Sequence, residues 1–150
     1  MEHSKYGDDF NVGDVYTTAA ITVTETHVVN WAGLTMDFYP LHIDREYAAG
    51  TQFGQRLVHG PLIFGIAVGL VSKEGFAGDA AVAWIGVDNM RMLKPVFIDD
   101  TVSVVVEVLD KQKTSNPEKG IQVWRYTVKN QKDEDIMVFD YKMMFHMRTA

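Results

Sequence analysis

The sequence predicts an α+β fold in which an antiparallel sheet wraps around one long central helix. Two observations carry that prediction. Residues 60–75 read as a helix that is apolar on every face, and such a helix has to be enclosed by protein. Almost everything after it reads as strands joined by tight turns, and hairpins in sequence dictate antiparallel pairing. Strands with one apolar face beside a helix with no polar face pack most economically as a curled sheet around that helix.

Taken in order, the chain opens with a polar entry and then a strand over about Val15–Val23. Thr24 follows as a helix cap with Glu25 in the first turn, and Val28, Val29, Ala32 and Met36 make an apolar stripe. Pro40 forces Tyr39 out of helical geometry, so this helix ends near Met36 and an extended loop, Asp37–Asp44, succeeds it. Arg45–Phe53 forms a short helix broken around Gly50. Pro61 suits the first turn of the central helix, which ends near Gly75. The strands begin at Ala81–Val87, continuing past Asn89 toward Leu93. Thr101–Leu109 follows with alternating valines, then Ile121–Asn130 and a last strand whose residues Met137, Phe139, Tyr141, Met143, Phe145 and Met147 form one apolar face. Turns are expected at Asn116–Gly120 and Gln131–Asp135.

The chain has 150 residues, 47% hydrophobic and 23% charged, with no repeat and no linker, so one domain over 1–150 is expected. Fourteen basic against twenty acidic residues give a net charge of −6, which disfavours nucleic acid and anionic membranes as partners. The absence of cysteine excludes disulfides, thiolate catalysis and cysteine-ligated metals. Met1–Lys5 carries no apolar core of a signal peptide, and the longest stretch free of charged residues, Leu57–Ser72, falls short of the ~20 residues a spanning helix needs. A cytoplasmic protein is expected.

Candidate chemistry centres on histidine. His3 sits in the terminus, His27 in a first helical turn and His146 on the polar face of the last strand; each reads as an ordinary exposed or capping residue. His42 lies five residues after Asp37, and a carboxylate beside an imidazole is the usual equipment for moving protons on and off water. His59-Gly60-Pro61 stands at the start of the central helix, where a free backbone N–H and the helix dipole stabilise an oxyanion. Asp37, His42, Asp44 and His59 are ligand types that suit zinc or iron, yet no His-x-x-x-His or similar cluster is present, and no metal is expected. A Gly-x-Ser-x-Gly elbow, a Gly-x-Gly-x-x-Gly turn and a P-loop are all absent.

Together, Asp37-Phe38-Tyr39-Pro40-Leu41-His42-Ile43-Asp44, Ala48-Ala49 and Phe53-Gly54-Gln55-Arg56-Leu57-Val58-His59-Gly60 resemble the signature of the MaoC-like dehydratases, which include the (R)-specific enoyl-CoA hydratases. Met92–Val102, with its proline and acidic turn, resembles the family's next segment. The resemblance implies a hot-dog fold and an acyl-CoA hydro-lyase that adds or removes water across the 2,3 double bond of a thioester. It assigns Asp37 and His42 to the catalytic pair and the Gly60 N–H to the oxyanion hole. It places Tyr39, Pro40, Phe53, His59 and Val68 against the substrate, and it implies a homodimer that needs no cofactor beyond the CoA of its substrate. Arg56, Arg91 and Lys94 are candidate contacts for the CoA phosphates. Two positions depart from the family pattern: Tyr39 stands where asparagine is usual, and Val68 where bacterial (R)-hydratases carry serine. Two other functions remain open on the residues, a hot-dog thioesterase and a non-catalytic acyl-CoA-binding module.

Overall fold

The computed structural model describes residues 6–149, so His3 lies outside the described residues. Two short strands, β1 (Val15–Thr17) and β2 (Ile21–Thr22), lead into helix α1 (Glu25–Thr35). Two single-turn helices follow, α2 (Pro40–Ile43) and α3 (Arg45–Ala49), and then the central helix α4 (Gly60–Glu74). Strands β3 (Ala81–Met92), β4 (Thr101–Lys113), β5 (Lys119–Lys129) and β6 (Asp135–His146) complete the chain. They form one antiparallel sheet in the order β1-β4-β5-β6-β3, with β2 also on β4. This is the hot-dog arrangement the resemblance implies.

The core lies between α4 and the concave face of the sheet. Ile63 and Ala67 of α4 are fully buried, facing Val102, Val104, Val106, Trp124, Phe139 and Phe145 from the strands. Alternation explains why these strands serve: inward residues of β4 are valines, and every second residue of β6 is aromatic or methionine. Aromatic contacts run along the face, with Tyr126 stacked on Tyr141 at 5.1 Å between ring centres and Phe10 edge-on to Trp124 at 5.0 Å.

Three expectations need correction. The strand expected over Val15–Val23 is interrupted, because Thr18 turns inward: its N–H donates to the Val104 carbonyl while its hydroxyl accepts from the Val104 N–H. The segment Asp37–Asp44 is not extended throughout. Tyr39 is extended as the residue before a proline must be, but Pro40 then opens a helical turn instead of only closing the previous helix. Finally, α4 is not enclosed on every face. Pro61, Gly65, Gly69 and Ser72 leave one side open to solvent, since a single sheet reaches only part of the way round.

The helix boundaries do follow the sequence. Met36 and Gly75 cap α1 and α4 in the left-handed conformation. At the start of α1, His27 completes a capping box, its Nδ1 accepting from the Thr24 N–H at 3.0 Å. Strand β3 carries a bulge at Asn89, held at φ 54° by an amide that donates to the Asp140 carboxylate at 2.7 Å.

Because Ile63 is fully buried against the sheet, Ile63→Ala is expected to lower unfolding free energy by about 2–5 kcal/mol in urea titration. Leu34→Ala, on the exposed side of α1, is expected to change it by less than about 0.5 kcal/mol in the same measurement.

Candidate active site

Three short segments converge at the head of α4. The pre-proline turn and α2 carry Asp37 and His42, and the segment Leu57–His59 delivers Gly60. Backbone bonds lock them together: the Leu57 N–H donates to the Leu41 carbonyl at 3.2 Å and the Val58 N–H to the Val96 carbonyl at 2.8 Å.

Each imidazole is fixed by a carbonyl. His42 Nδ1 lies 2.8 Å from the Leu57 oxygen, and a carbonyl only accepts, so Nδ1 carries a proton and Nε2 is the bare nitrogen of the neutral tautomer. His59 Nε2 donates to the Asp37 carbonyl at 3.0 Å, which leaves its Nδ1 bare. That Nδ1 is buried and has no hydrogen-bond partner among the described residues. The two rings stack with centres 3.8 Å apart and planes inclined by 29°. Burial is the main cause that pushes the His59 pKa below its ordinary value. The Asp37 carbonyl and carboxylate oppose it, and charge on His42 adds to it. His59 is therefore a neutral plate that sets the plane of His42 and holds the Asp37 backbone.

One ligating atom from each of Asp37, His42 and His59 lies within 4.8 Å of the others. A water making two ordinary hydrogen bonds of about 2.8 Å spans such a gap. A metal fits it poorly. Stacked rings present their in-plane lone pairs side by side instead of converging on one point. Asp44 stands apart from the trio: it caps α3 by accepting from the Tyr47 N–H at 3.0 Å.

The Gly60 N–H opens α4, has no acceptor among the described residues, and borders a cleft of about 360 Å³. His42, Phe53, Met92 and Lys94 also line that cleft. A Cβ built on Gly60 would meet Met92 only at an ordinary 3.7 Å, so nothing inside the chain demands glycine here. The missing side chain keeps the N–H reachable from the cleft.

The MaoC-like domain model matches residues 9–130. The chain belongs to the MaoC-like family. A Bacillus subtilis protein, YdeM, is 34% identical over 135 residues, which is 89% of this chain and 92% of that protein. A Rhodospirillum rubrum (R)-specific enoyl-CoA hydratase is 31% identical over 122 residues, 81% of this chain and 79% of the relative. A solved Archaeoglobus structure described as a monoamine oxidase regulatory protein superposes with TM-score 0.91 at 33% identity, covering 96% of this chain and 95% of that one.

In this MaoC-like chain the other expected site residues divide into two groups. Tyr39 is exposed, edge-on to His42 with ring centres 6.0 Å apart, its hydroxyl 3.5 Å from that of Tyr47. Pro40 starts the turn that carries His42, and Phe53 lines the cleft together with Gly60. Val68 lies two turns further along α4, outside this cleft, in a second cavity. Among the candidate phosphate contacts, Arg56 is buried and its guanidinium donates to Glu25 at 2.8 Å, away from the cleft that Gly60 borders. Lys94 borders the cleft while paired with Glu134 at 2.6 Å. Arg91 is exposed on β3 with no ion pair among the described residues. The Leu57 carbonyl and Met92 escaped the sequence reading. Neither bears a reactive group, and only the chain's return past α2 and β3 brings them to the site.

Because the folded protein holds His59 neutral by burial, the unfolded chain takes up a proton there at a higher pH than the folded one does. Stability is thus expected to fall as pH drops below about 6.5, the ordinary histidine value, until the folded ring itself is protonated. Urea midpoints of wild type and His59→Gln at pH 7.5 and 5.5 check this: the variant should lose less stability between the two.

Proposed function

We propose that this protein is an acyl-CoA hydro-lyase, interconverting a trans-2-enoyl-CoA and the 3-hydroxyacyl-CoA. The observation that carries the reading is the trio at the head of α4: an imidazole nitrogen of His42 and a carboxylate oxygen of Asp37 within 4.8 Å of each other, on the chain that leads to an unpaired helix N-terminal N–H at Gly60.

In hydration, the thioester oxygen accepts from the Gly60 N–H, and polarisation makes C3 electrophilic. A water held between Asp37 and His42 gives a proton to this pair as its oxygen bonds to C3. The electron pair of the C2–C3 double bond moves through C2 to the thioester oxygen, and the resulting enolate is stabilised by Gly60 and the helix dipole. C2 then takes a proton from the pair, and the dehydration runs these steps backward. His59 touches none of the reacting atoms; it positions His42. No metal or organic cofactor has a step here, since the electron sink is the thioester of the substrate.

A thioesterase would direct the same water at the thioester carbon, with a carboxylate on the central helix. The one acidic residue of α4, Glu74, is at its far end, accepting from the Ala19 N–H at 2.8 Å. That placement favours the hydro-lyase. A homodimer completes the proposal. Strand β3 ends the sheet with its outer edge unpaired, exposing Trp84, Ile85, Met90 and Met92 beside the open side of α4. An uncovered apolar edge of that length is a pairing surface, and a second copy is its expected occupant.

Crotonyl-CoA hydration, followed by loss of the conjugated enoyl absorbance, tests the reading. Asp37→Asn and His42→Ala are each expected to lower kcat by at least about a hundredfold. Gly60→Ala should keep the thermal midpoint, because its methyl meets only Met92, yet lose about a hundredfold in kcat as the methyl crowds the N–H. Release of free CoA with the double bond intact would overturn the assignment. Light scattering should report twice the 16.9 kDa chain mass, and Trp84→Lys should shift it toward one chain.

A further inference from the structure

Strand β3 reverses its facing just before it reaches the candidate site. Residues paired directly across an antiparallel ladder point to the same side of the sheet, so each β3 residue takes the side of its β6 partner. Asp88 pairs with Asp140, which alternates with the core residues Phe139 and Tyr141 and so points away from α4. Unbroken alternation from Asp88 would turn Arg91 toward α4 and Met92 away from it. The pairing shifts between these residues: Arg91 lies opposite Val138, and Met92 lies opposite Met137 of the core. One extra residue in β3 has exchanged the two, leaving the arginine outside and the methionine on the helix side.

A network centred on one buried carboxylate holds that extra residue. Asn89 sits in the left-handed region at φ 54°, and its amide donates to Asp140 Oδ2 at 2.7 Å. Arg125 of β5 grips both oxygens of the same carboxylate, Nε donating to Oδ1 at 2.8 Å and Nη2 to Oδ2 at 3.1 Å. Asp140 is 5% exposed. Burial opposes its ionisation, yet the bonds from Arg125 and Asn89 hold its pKa below the ordinary carboxylate value, so it accepts from both. The bulge delivers Met92 to Gly60. A Cβ built on Gly60 would have Met92 Cγ and Sδ at 3.7 Å, and beyond the chain neighbours no other side chain among the described residues comes within 4 Å. Both residues line the cleft that His42 also borders.

We propose that Met92 sets the bulk allowed at C2 of the acyl group, admitting enoyl thioesters with hydrogen there over those with a methyl branch, and that Asn89 is the positioning residue that brings it to Gly60. This rests on the hydro-lyase reading of the site. When the thioester oxygen accepts from the Gly60 N–H, a substituent on C2 is only three bonds from that oxygen. It is thereby brought up to the one side chain of the sheet that reaches Gly60, the Met92 thioether. Groups further along the acyl chain escape this contact, so the selection acts on branching at C2 and not on chain length.

The test pairs crotonyl-CoA with 2-methylcrotonyl-CoA. Met92→Ala should raise kcat/KM for the branched substrate relative to the unbranched one by about tenfold over wild type, the scale of one methyl group in a fitted pocket. Asn89→Asp tolerates the left-handed backbone but sets a second carboxylate against that of Asp140, so it should shift the ratio in the same direction. Each ratio is taken within one preparation, so partial loss of folded protein does not change it. Titration calorimetry with propionyl-CoA and isobutyryl-CoA, which differ only by a methyl on C2, reads the same contact without turnover. Wild type should bind propionyl-CoA more tightly, and Met92→Ala should remove the preference. An unchanged ratio in Met92→Ala, or equal binding of the saturated pair by wild type, overturns the role of Met92, and a wild-type ratio in Asn89→Asp overturns that of Asn89; with crotonyl-CoA still hydrated, the hydro-lyase reading stands in each case. A preference in binding with no hydration of any enoyl-CoA would overturn the hydro-lyase reading and keep the assignment of Met92.

Discussion

The fit of α4 into the concave face of the sheet governs everything else in this molecule. Ile63, Ala67 and Leu70 bring the helix onto valines of β4 and aromatics of β5 and β6. The core is thus a line of contacts along one helix. A helix held that firmly has a fixed N-terminus, and a fixed N-terminus is what an oxyanion donor requires, since preorganised dipoles need no rearrangement when charge develops.

The site hangs from that helix by backbone bonds. The Leu57 carbonyl fixes the His42 tautomer, and the Asp37 carbonyl fixes that of His59. Both histidines have their protons placed by groups that cannot titrate, so the bare Nε2 of His42 depends on the chain path and not on a neighbour's charge. His59 adds a rigid neutral surface for His42 to lie on, at the cost of one buried nitrogen with no partner among the described residues.

Local chemistry made much of this legible in the sequence. Pro61 and Gly75 bracketed α4, Thr24 marked the start of α1, and valine alternation marked β4, because caps and periodicity are written within a few residues. The break at Thr18 was not legible, because it comes from a side chain that exchanges bonds with distant Val104. The turn at Pro40 was missed for a different reason: proline both ends one helix and starts another, and the sequence alone does not rank the two roles. Asp37, His42 and Gly60 stood out by type and spacing, whereas the ring stack of His42 on His59 depends on a loop closure that no spacing rule encodes. Arg56 looked like a free cation because its partner Glu25 lies far back in the chain.

The two departures from the family pattern fall in instructive places. Tyr39 lies against His42 and Tyr47, and Val68 lines a second cavity further along α4. Neither supplies a hydrogen bond to His42 or Asp37 through its side chain, so neither alters the groups that would move protons. Changes that leave the groups of the reacting centre unaltered bear on substrate choice instead of on chemistry, because discrimination arises from contacts away from the bond being made.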